Sequence, residues 1–194
     1  MNKQIKSNTY SKRNRFLLLG GDPVLDFCNT LVFHGDVKED RLLSVEDAEN
    51  FWQSFFEDDC KFNRRQLDDL LELRTELREL FKLIVEKRCS EDSFKKVNKY
   101  LGKHPFVFRI DFLGDSIVSS ITSTKEDPTT SLVYALHSFL GKFDLTRLKK
   151  CNNPNCSHFF YDKSKNNLRV WCSMKTCGNI MKARAFHQRK RNGV

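Results

Sequence analysis

The sequence contains no apolar run long enough to cross a membrane. A membrane-spanning helix needs about 20 consecutive apolar residues, whereas the polar and basic first 15 residues are followed only by Phe16-Leu17-Leu18-Leu19. That run is also too short for the apolar region of a secretory signal peptide. We therefore expect a cytoplasmic protein without a membrane partner, in a compartment that keeps cysteines reduced.

Sequence motifs that would indicate an enzyme are also missing. There is no Gly-x-Ser-x-Gly nucleophile elbow, no Gly-x4-Gly-Lys-Ser/Thr phosphate loop and no His-Glu-x-x-His pair. The sequence shows no internal repeat and no low-complexity tract either. We expect a non-catalytic protein that is not a repeat array.

The last four cysteines of the chain are spaced as two close pairs. Cys151, Cys156, Cys172 and Cys177 are spaced Cys-x4-Cys-x15-Cys-x4-Cys. Two close pairs around a hairpin-length insert can place four thiolates at the corners of one tetrahedron, which is the geometry of structural Zn²⁺. The spacing predicts one Zn²⁺ per chain. Two disulfides, or four unrelated buried thiols, are the alternatives.

Positive charge is concentrated in the same part of the chain. Residues 147–194 hold 12 of the 34 Lys and Arg residues and one of the 25 acidic residues, Asp162. Residues 1–146 hold the other 22 basic and 24 acidic residues. A block of one sign beside a metal site suggests a polyanionic partner, most often nucleic acid. A solubilising basic tail is the alternative.

Hydrophobic periodicity predicts an α+β fold, with a mainly helical N-terminal domain and a small β-hairpin over residues 16–146. Apolar residues at three- and four-residue spacing predict helices over about 45–56, 63–87, 90–101 and 128–140. The charge run from Glu72 to Arg78 indicates a solvated face of the longest helix. Alternating apolar residues over 105–122 predict the hairpin. Residues 1–15 are predicted to be a mobile basic arm.

Residues 147–194 are predicted to form a treble-clef-like zinc finger. We expect a hairpin between the two cysteine pairs, running from His158–Tyr161 to Leu168–Trp171. A helix from about Gly178 to Arg191 would follow, carrying the last ligand at its start. The residues expected to pack this helix on the hairpin are Ile180, Ala183 and Phe186.

Two sets of residues carry a resemblance to known families. In the tail they are Cys151-x4-Cys156, Phe160, Asp162, Ser164, Arg169-x-Trp171-Cys172-Ser173, Cys177-Gly178-Asn179 and Lys182-x-Arg184. These resemble the CGNR zinc-finger family of bacterial transcription regulators. Upstream, Gly20-Gly21-Asp22-Pro23 and Leu25-Asp26-Phe27-Cys28-Asn29-Thr30 resemble the opening of the ABATE domain that usually precedes this finger.

The resemblance implies a DNA-binding transcription regulator that responds to stress or to a ligand. The finger would contact DNA, and the N-terminal domain would sense a signal or form a homodimer. The candidate nucleic-acid contacts are Arg169, Lys182, Arg184, Gln188, Arg189, Lys190 and Arg191. On the predicted helix, Arg184, Gln188 and Arg191 share one ridge, and Lys182 and Arg189 share a second.

One position departs from the family pattern. Ile180 stands where the namesake motif Cys-Gly-Asn-Arg has its arginine. An arginine in the first turn can contact a phosphate, pair with a base edge or bind a carboxylate. Its replacement favours nonspecific phosphate binding over sequence reading. A zinc-stabilised adaptor that binds RNA or an acidic protein, without sequence-specific DNA recognition, is therefore the alternative function.

Three polar residues of the upstream motif are candidates for a small-molecule site. Asp26, Asn29 and Thr30 lie in an otherwise apolar stretch, where they can line a ligand pocket in the N-terminal domain. Asp, Asn and Thr side chains also satisfy loose backbone groups at helix ends and turns. The sequence leaves both readings open and does not name a ligand.

Overall fold

The computed structural model describes residues 16–56, 60–114, 116–123 and 127–192, so the predicted basic arm lies outside the described residues. Within these ranges, five helices precede Cys151, the first cysteine of the predicted zinc site: α1 (Pro23–Cys28), α2 (Val45–Phe56), α3 (Arg64–Val85), α4 (Lys95–Leu101) and α5 (Thr129–Leu140). A sixth, α6 (Asn179–Arg191), follows them. No helix within the described ranges is long and apolar enough to span a membrane.

The strands of the described residues form three separate antiparallel hairpins. β1 (Leu31–His34) pairs with β2 (Val37–Asp40), β3 (Phe106–Leu113) with β4 (Ser116–Ser123), and β5 (Leu148–Lys150) with β6 (Phe159–Tyr161). Short 3-10 turns cover Glu91–Phe94 and Leu145–Arg147, and a π-helical turn covers Met174–Gly178. The predicted combination of helices, small hairpins and a cysteine cluster is confirmed, and β1–β2 is a hairpin that the sequence analysis missed.

Helix α3 is the central element, and it contacts α1, α2, α4 and β5. Asn63 begins it with a capping box, in which its side chain accepts from the backbone N–H of Gln66 while the Gln66 side chain accepts from the backbone N–H of Asn63. Its buried stripe follows the predicted spacing and consists of Leu67, Leu70, Leu73, Leu77, Leu80, Phe81 and Ile84. The core therefore forms around the most strongly periodic segment of the sequence.

The predicted solvated face of α3 is wrong at Arg74. This side chain is only 3% exposed and makes two hydrogen bonds to the Asp40 carboxylate, of 2.7 and 2.6 Å. It also donates to the Thr30 hydroxyl at 2.9 Å. Partial burial raises the pKa of Asp40, but the bonds from Arg74 and from the Leu42 N–H, together with nearby positive charge, keep the pKa below its usual value. A charge run alone did not reveal this burial because β2 comes from a distant part of the sequence.

The hairpin predicted between the two cysteine pairs is also wrong. β6 pairs with β5, which precedes the first cysteine, in the register Lys150↔Phe159 and Leu148↔Tyr161. The predicted second strand, residues 168–171, is held instead by individual hydrogen bonds, including the bond from the Asn152 N–H to the Val170 carbonyl. The edge of β6 that faces away from β5 is already occupied, because Asn29 bonds to the backbone of Phe159 and the Tyr161 N–H donates to the Gly20 carbonyl. The backbone N–H of Arg169 donates instead to the Asp162 carboxylate at 2.8 Å.

The predicted packing of α6 is wrong as well. No residue of α6 is buried, and Ile180 and Phe186 are 46% and 58% exposed. Successive steps of three residues rotate by about 60° around an α-helix, so Ile180, Ala183 and Phe186 do not share a narrow face. The neighbour against which α6 mainly packs is the turn Met174–Gly178. The helix therefore presents its sides to solvent.

Candidate metal centre and nucleic-acid interface

The four predicted zinc ligands meet in one buried cluster. The sulfur atoms of Cys151, Cys156, Cys172 and Cys177 all lie within 4.8 Å of one another. The Cys156–Cys172 and Cys172–Cys177 sulfur distances are 3.8 and 3.7 Å. A tetrahedron with Zn–S bonds of about 2.3 Å has sulfur–sulfur edges of about 3.8 Å. The four cysteines form no disulfide in this structure, and their sulfur spacing fits one zinc ion and not S–S bonds of about 2.05 Å.

The first cysteine pair is shaped by a turn that also shields the sulfurs. The Cys156 N–H donates to the Asn153 carbonyl at 2.9 Å, which folds the Asn-Asn-Pro-Asn segment back. The Asn153 amide lies 3.4 Å from the Cys177 sulfur, and His158 Nδ1 lies 3.2 Å from the Cys156 sulfur. Both groups can donate to thiolates. Burial lowers the pKa of His158 to about 4, so its ring is neutral at pH 7.

The π-helical turn carries Cys177 and follows Cys172 by two residues. The Ser173 hydroxyl accepts from the Thr176 N–H at 3.3 Å, and the Ser173 carbonyl accepts from the Gly178 N–H at 3.0 Å. A Cβ atom at Gly178 would lie 2.5 Å from the Met174 sulfur and 3.3 Å from the Trp171 ring. Glycine therefore allows the turn to close against Trp171 directly before α6 begins.

Asp162 holds the finger together from inside. Its fully buried carboxylate accepts from Lys149 Nζ at 2.7 Å and from the backbone of Ser164 and Arg169 at 2.9 and 2.8 Å. Burial would raise the pKa of Asp162, but these bonds outweigh that effect and hold the pKa well below its usual range. Lys149 completes its bonding with the carbonyls of Asn167 and Arg169, so the ion pair is fully satisfied.

Arg169 is used by the finger itself. Its guanidinium donates to the Trp171 and Cys172 carbonyls and lies over the Phe160 ring, 4.5 Å from the centroid. These contacts fix the chain on both sides of the third ligand. Nucleic-acid binding by Arg169 stays a prediction, and a substitution there would also disturb the metal centre.

The other six predicted nucleic-acid contacts lie together on α6. This helix has no acidic residue, and its 13 residues include five Lys or Arg side chains. All six candidates are exposed; they are Lys182, Arg184, Gln188, Arg189, Lys190 and Arg191. Because they point in several directions around the helix, α6 offers positive charge on most of its circumference.

The three predicted ligand-binding residues are drawn into contacts within the chain, and one of them reaches the zinc finger. The Asn29 amide donates to the Phe159 carbonyl at 2.8 Å and accepts from the Phe159 N–H at 2.9 Å. The Tyr161 N–H donates to the Gly20 carbonyl at 2.9 Å. The upstream motif thus satisfies the edge of β6 that β5 leaves open. We call this contact between Gly20, Asn29 and β6 the seam.

Asp26 and Thr30 support the same seam. Asp26 accepts from the Gly20 N–H at 2.6 Å, and a Cβ atom at Gly20 would lie only 2.7 Å from the Leu25 Cβ. Burial raises the pKa of Asp26 to about 7. Thr30 donates to the Phe27 carbonyl at 2.7 Å while it accepts from Arg74. The polar atoms of these residues have partners within the chain. Ligand binding by Asp26, Asn29 and Thr30 stays a prediction.

Arg78 packs against Phe159 at the seam, a contact that the sequence did not predict. Its guanidinium donates to the Cys28 carbonyl at 2.7 Å and lies over the Phe159 and Phe33 rings, 5.5 and 5.8 Å from their centroids. Burial lowers the pKa of Arg78, although the group remains a cation at neutral pH. The i, i+4 spacing from Arg74 was the available signal, because it places both arginines on one face of α3.

An open groove lies where the end of α3 meets the finger. Its volume is about 670 Å³, and its lining includes Val85, Lys87, Leu145, Lys150, Asn152 and Val170. Asp26, Asn29 and Thr30 are not among its lining residues. The concave surface of this region and the predicted ligand residues are therefore in different places.

Comparison with known families agrees with this arrangement. Residues 147–190 match the CGNR zinc finger. Residues 21–135, which are more than half of the chain, match the ABATE family, described as "Putative stress-induced transcription regulator". The chain belongs to the ABATE family. The predicted order, an ABATE domain followed by a CGNR finger, is confirmed.

The two family matches cover different helices and strands of the structure. The ABATE match contains α1 to α4, the first two hairpins and the start of α5, whereas the CGNR match contains all four cysteines and nearly all of α6. A search of curated proteins found no match. Both family matches support a role in transcription regulation.

Proposed function

We propose that this ABATE-family protein is a DNA-binding transcription regulator whose finger presents α6 to the DNA backbone. The observation that carries the proposal is α6 itself, a 13-residue helix with five Lys or Arg side chains, no acidic residue and no buried position. A helix without a core role and with positive charge around its circumference fits phosphate binding. Its start is anchored to the metal centre through the turn that carries Cys177.

The charge of the finger supports a polyanionic partner. Four thiolates and one Zn²⁺ together add about −2, which leaves residues 147–194 with a net charge of about +9. Four thiolates fill the tetrahedron, so the proposed role of the metal is structural and not catalytic. The N-terminal domain is proposed to pass a signal to the finger, since the seam connects the ABATE motif directly to β6.

Binding to DNA should weaken steeply with salt. If about five basic groups contact phosphates, the log–log slope of affinity against salt is roughly −4 to −5. Arg184→Ala should weaken binding and reduce that slope by about 1. Fluorescence anisotropy of labelled DNA with the zinc-loaded protein measures both quantities. Arg65→Ala is the matched control because Arg65 is an exposed helical arginine on α3, far from the finger in sequence.

The same titrations distinguish the adaptor alternative. Equal affinity for RNA and random DNA, without any genomic fragment enriched in a selection with the zinc-loaded protein, would favour the adaptor. Absence of salt-dependent binding to either nucleic acid at tens of micromolar, near the weak end of nonspecific affinities, would contradict the proposed function altogether.

A further inference from the structure

The β3–β4 hairpin exposes an apolar face that the function described so far does not use. Phe108, Ile110 and Phe112 alternate along β3 and are 71%, 76% and 73% exposed. Ile117, which is 76% exposed, stands directly opposite Phe112 on β4. Residues that are opposite or two apart share one face of a hairpin. We call these four side chains the apolar patch.

The two faces of the hairpin differ in polarity. Ser119 lies opposite Ile110 and is the polar residue at the centre of the patch face. The reverse face carries Arg109 and Asp111, which form an ion pair of 3.7 Å. At the base of the hairpin Phe106 packs against the main core, while the patch beyond it stands clear of the body. The exposure therefore belongs to one ordered surface.

A two-stranded hairpin with such a face is poorly suited to stand alone in water. Isolated two-stranded sheets are marginally stable, and an ordered apolar face usually packs against a second layer. No charged residue occurs at the described positions of the patch face, so a strongly acidic or basic partner could form no ion pair there. A partner with the same apolar surface is the better match.

We propose that the apolar patch binds the apolar patch of a second copy of this chain, in a symmetric homodimer. Two copies related by a twofold axis near Ile110 and Ser119 would stack their hairpins face to face, each patch covering the other. Burial of the four side chains in both copies would remove roughly 1,000 Å² of surface, which is near the lower end of specific interfaces. The dimer places two zinc fingers in one particle.

Sedimentation analysis of the full-length, zinc-loaded protein tests the proposal without DNA. At tens of micromolar the mass should be twice the 22.8 kDa of one chain. The double variant Ile110→Thr/Phe112→Thr should weaken self-association at least about 100-fold, because it removes buried apolar groups from both copies. Threonine keeps the strand propensity. Val107→Thr, on the reverse face of the same strand, should remain dimeric.

Disulfide trapping gives a second readout that does not depend on the stability of the double variant. In a Cys89→Ser background, which removes an exposed thiol, Ser119→Cys should form an intermolecular disulfide on mild oxidation. Ser120→Cys, which points to the reverse face, should not.

Three results would overturn the proposal. They are a monomeric wild-type protein at these concentrations, a double variant that dimerises as tightly as wild type, and binding of a monomer to phosphatidylcholine vesicles, which would assign the patch to lipid. Because no nucleic acid is present, failure of DNA binding and failure of the dimer are separate outcomes.

Discussion

Asn29 shows how one buried amide joins two parts of the chain. It is 2% exposed and makes both of its bonds to the backbone of Phe159. The partner backbone groups lie on the edge of β6 that faces away from β5. The amide therefore replaces the strand that would otherwise complete the edge of β6.

Replacement of Asn29 by alanine should lower the free energy of unfolding by about 1–3 kcal/mol, because it leaves the buried N–H and carbonyl of Phe159 without their partner. Urea denaturation of the zinc-loaded protein measures the loss. Asn98→Ala is the control, since Asn98 is exposed on α4 and should change stability by less than about 0.5 kcal/mol. Equal effects of the two substitutions would mean that the seam adds nothing to stability.

Asp26 makes the stability of the protein depend on pH. Burial raises its pKa to about 7 in the folded chain, whereas a carboxyl of an unfolded chain titrates near 3.9. Between these values the folded state binds more protons than the unfolded state, so the free energy of unfolding falls as pH rises. The contribution is fully present below about pH 4 and is lost by about pH 7.

Asp26→Asn should reveal this effect, because the asparagine cannot ionise. The stability of wild type relative to the variant should fall by roughly 2–4 kcal/mol between pH 4 and pH 8 and should change little at higher pH. Chemical denaturation of both proteins at four pH values measures the difference. A constant difference over the whole range would show that Asp26 is ionised throughout.

At the scale of elements, α6 differs from the other long helices. Helices α2, α3 and α5 each bury an apolar stripe, whereas α6 buries no residue. Most helical stability in proteins comes from such packing. Helix α6 is therefore anchored by its N-terminal attachment to the turn that holds Cys177. Its exposed sides are available for a partner.

Ile180→Arg should raise the affinity for DNA. Ile180 is 46% exposed in the first turn of α6, so an arginine there can reach a phosphate without disturbing packing. One added phosphate contact should steepen the log–log salt slope by about 0.9. Ile180→Gln controls for the loss of the apolar side chain. Unchanged affinity and slope in the arginine variant would place this turn away from the DNA.

At the scale of the whole molecule, the finger is not an independent module. Leu148 and Phe159 belong to the main hydrophobic core together with residues of α1 and α3, while the cysteines and Phe160 form a second, smaller cluster. Phe159 packs against Phe81 of α3 with ring centroids 6.2 Å apart. Loss of the metal should therefore be felt beyond the metal centre.

Removal of zinc should unfold the cysteine turns and α6, and it should also lower the melting temperature of the remaining helices. Hydrogen exchange with and without a chelator should show lost protection over residues 151–191 and weaker protection near the seam. Metal analysis should give one Zn²⁺ per chain, and Cys172→Ser should reduce that ratio. An unchanged melting temperature after chelation would show that the two clusters are energetically separate.

Local patterns in the sequence were sufficient for most helices and for the metal site. The capping box at Asn63 and the leucine spacing of α3 are short-range signals, and so is the turn inside the first cysteine pair. Four thiolates around one zinc ion adopt a tetrahedral arrangement in structural sites. The zinc ligands could therefore be identified from spacing and residue type alone.

Only the tertiary structure decided which surfaces meet. Arg74 and Arg78 face a distant hairpin and strand, β6 takes its partner from before the first cysteine, and Asn29 joins Phe159 across 130 positions of sequence. Such contacts depend on how complete elements pack, and nearby residues carry no signal of them. By itself, the sequence determined most of the helices, the zinc ligands and the basic tail. Long-range packing decided the seam, the exposure of α6 and the uncovered patch of the β3–β4 hairpin.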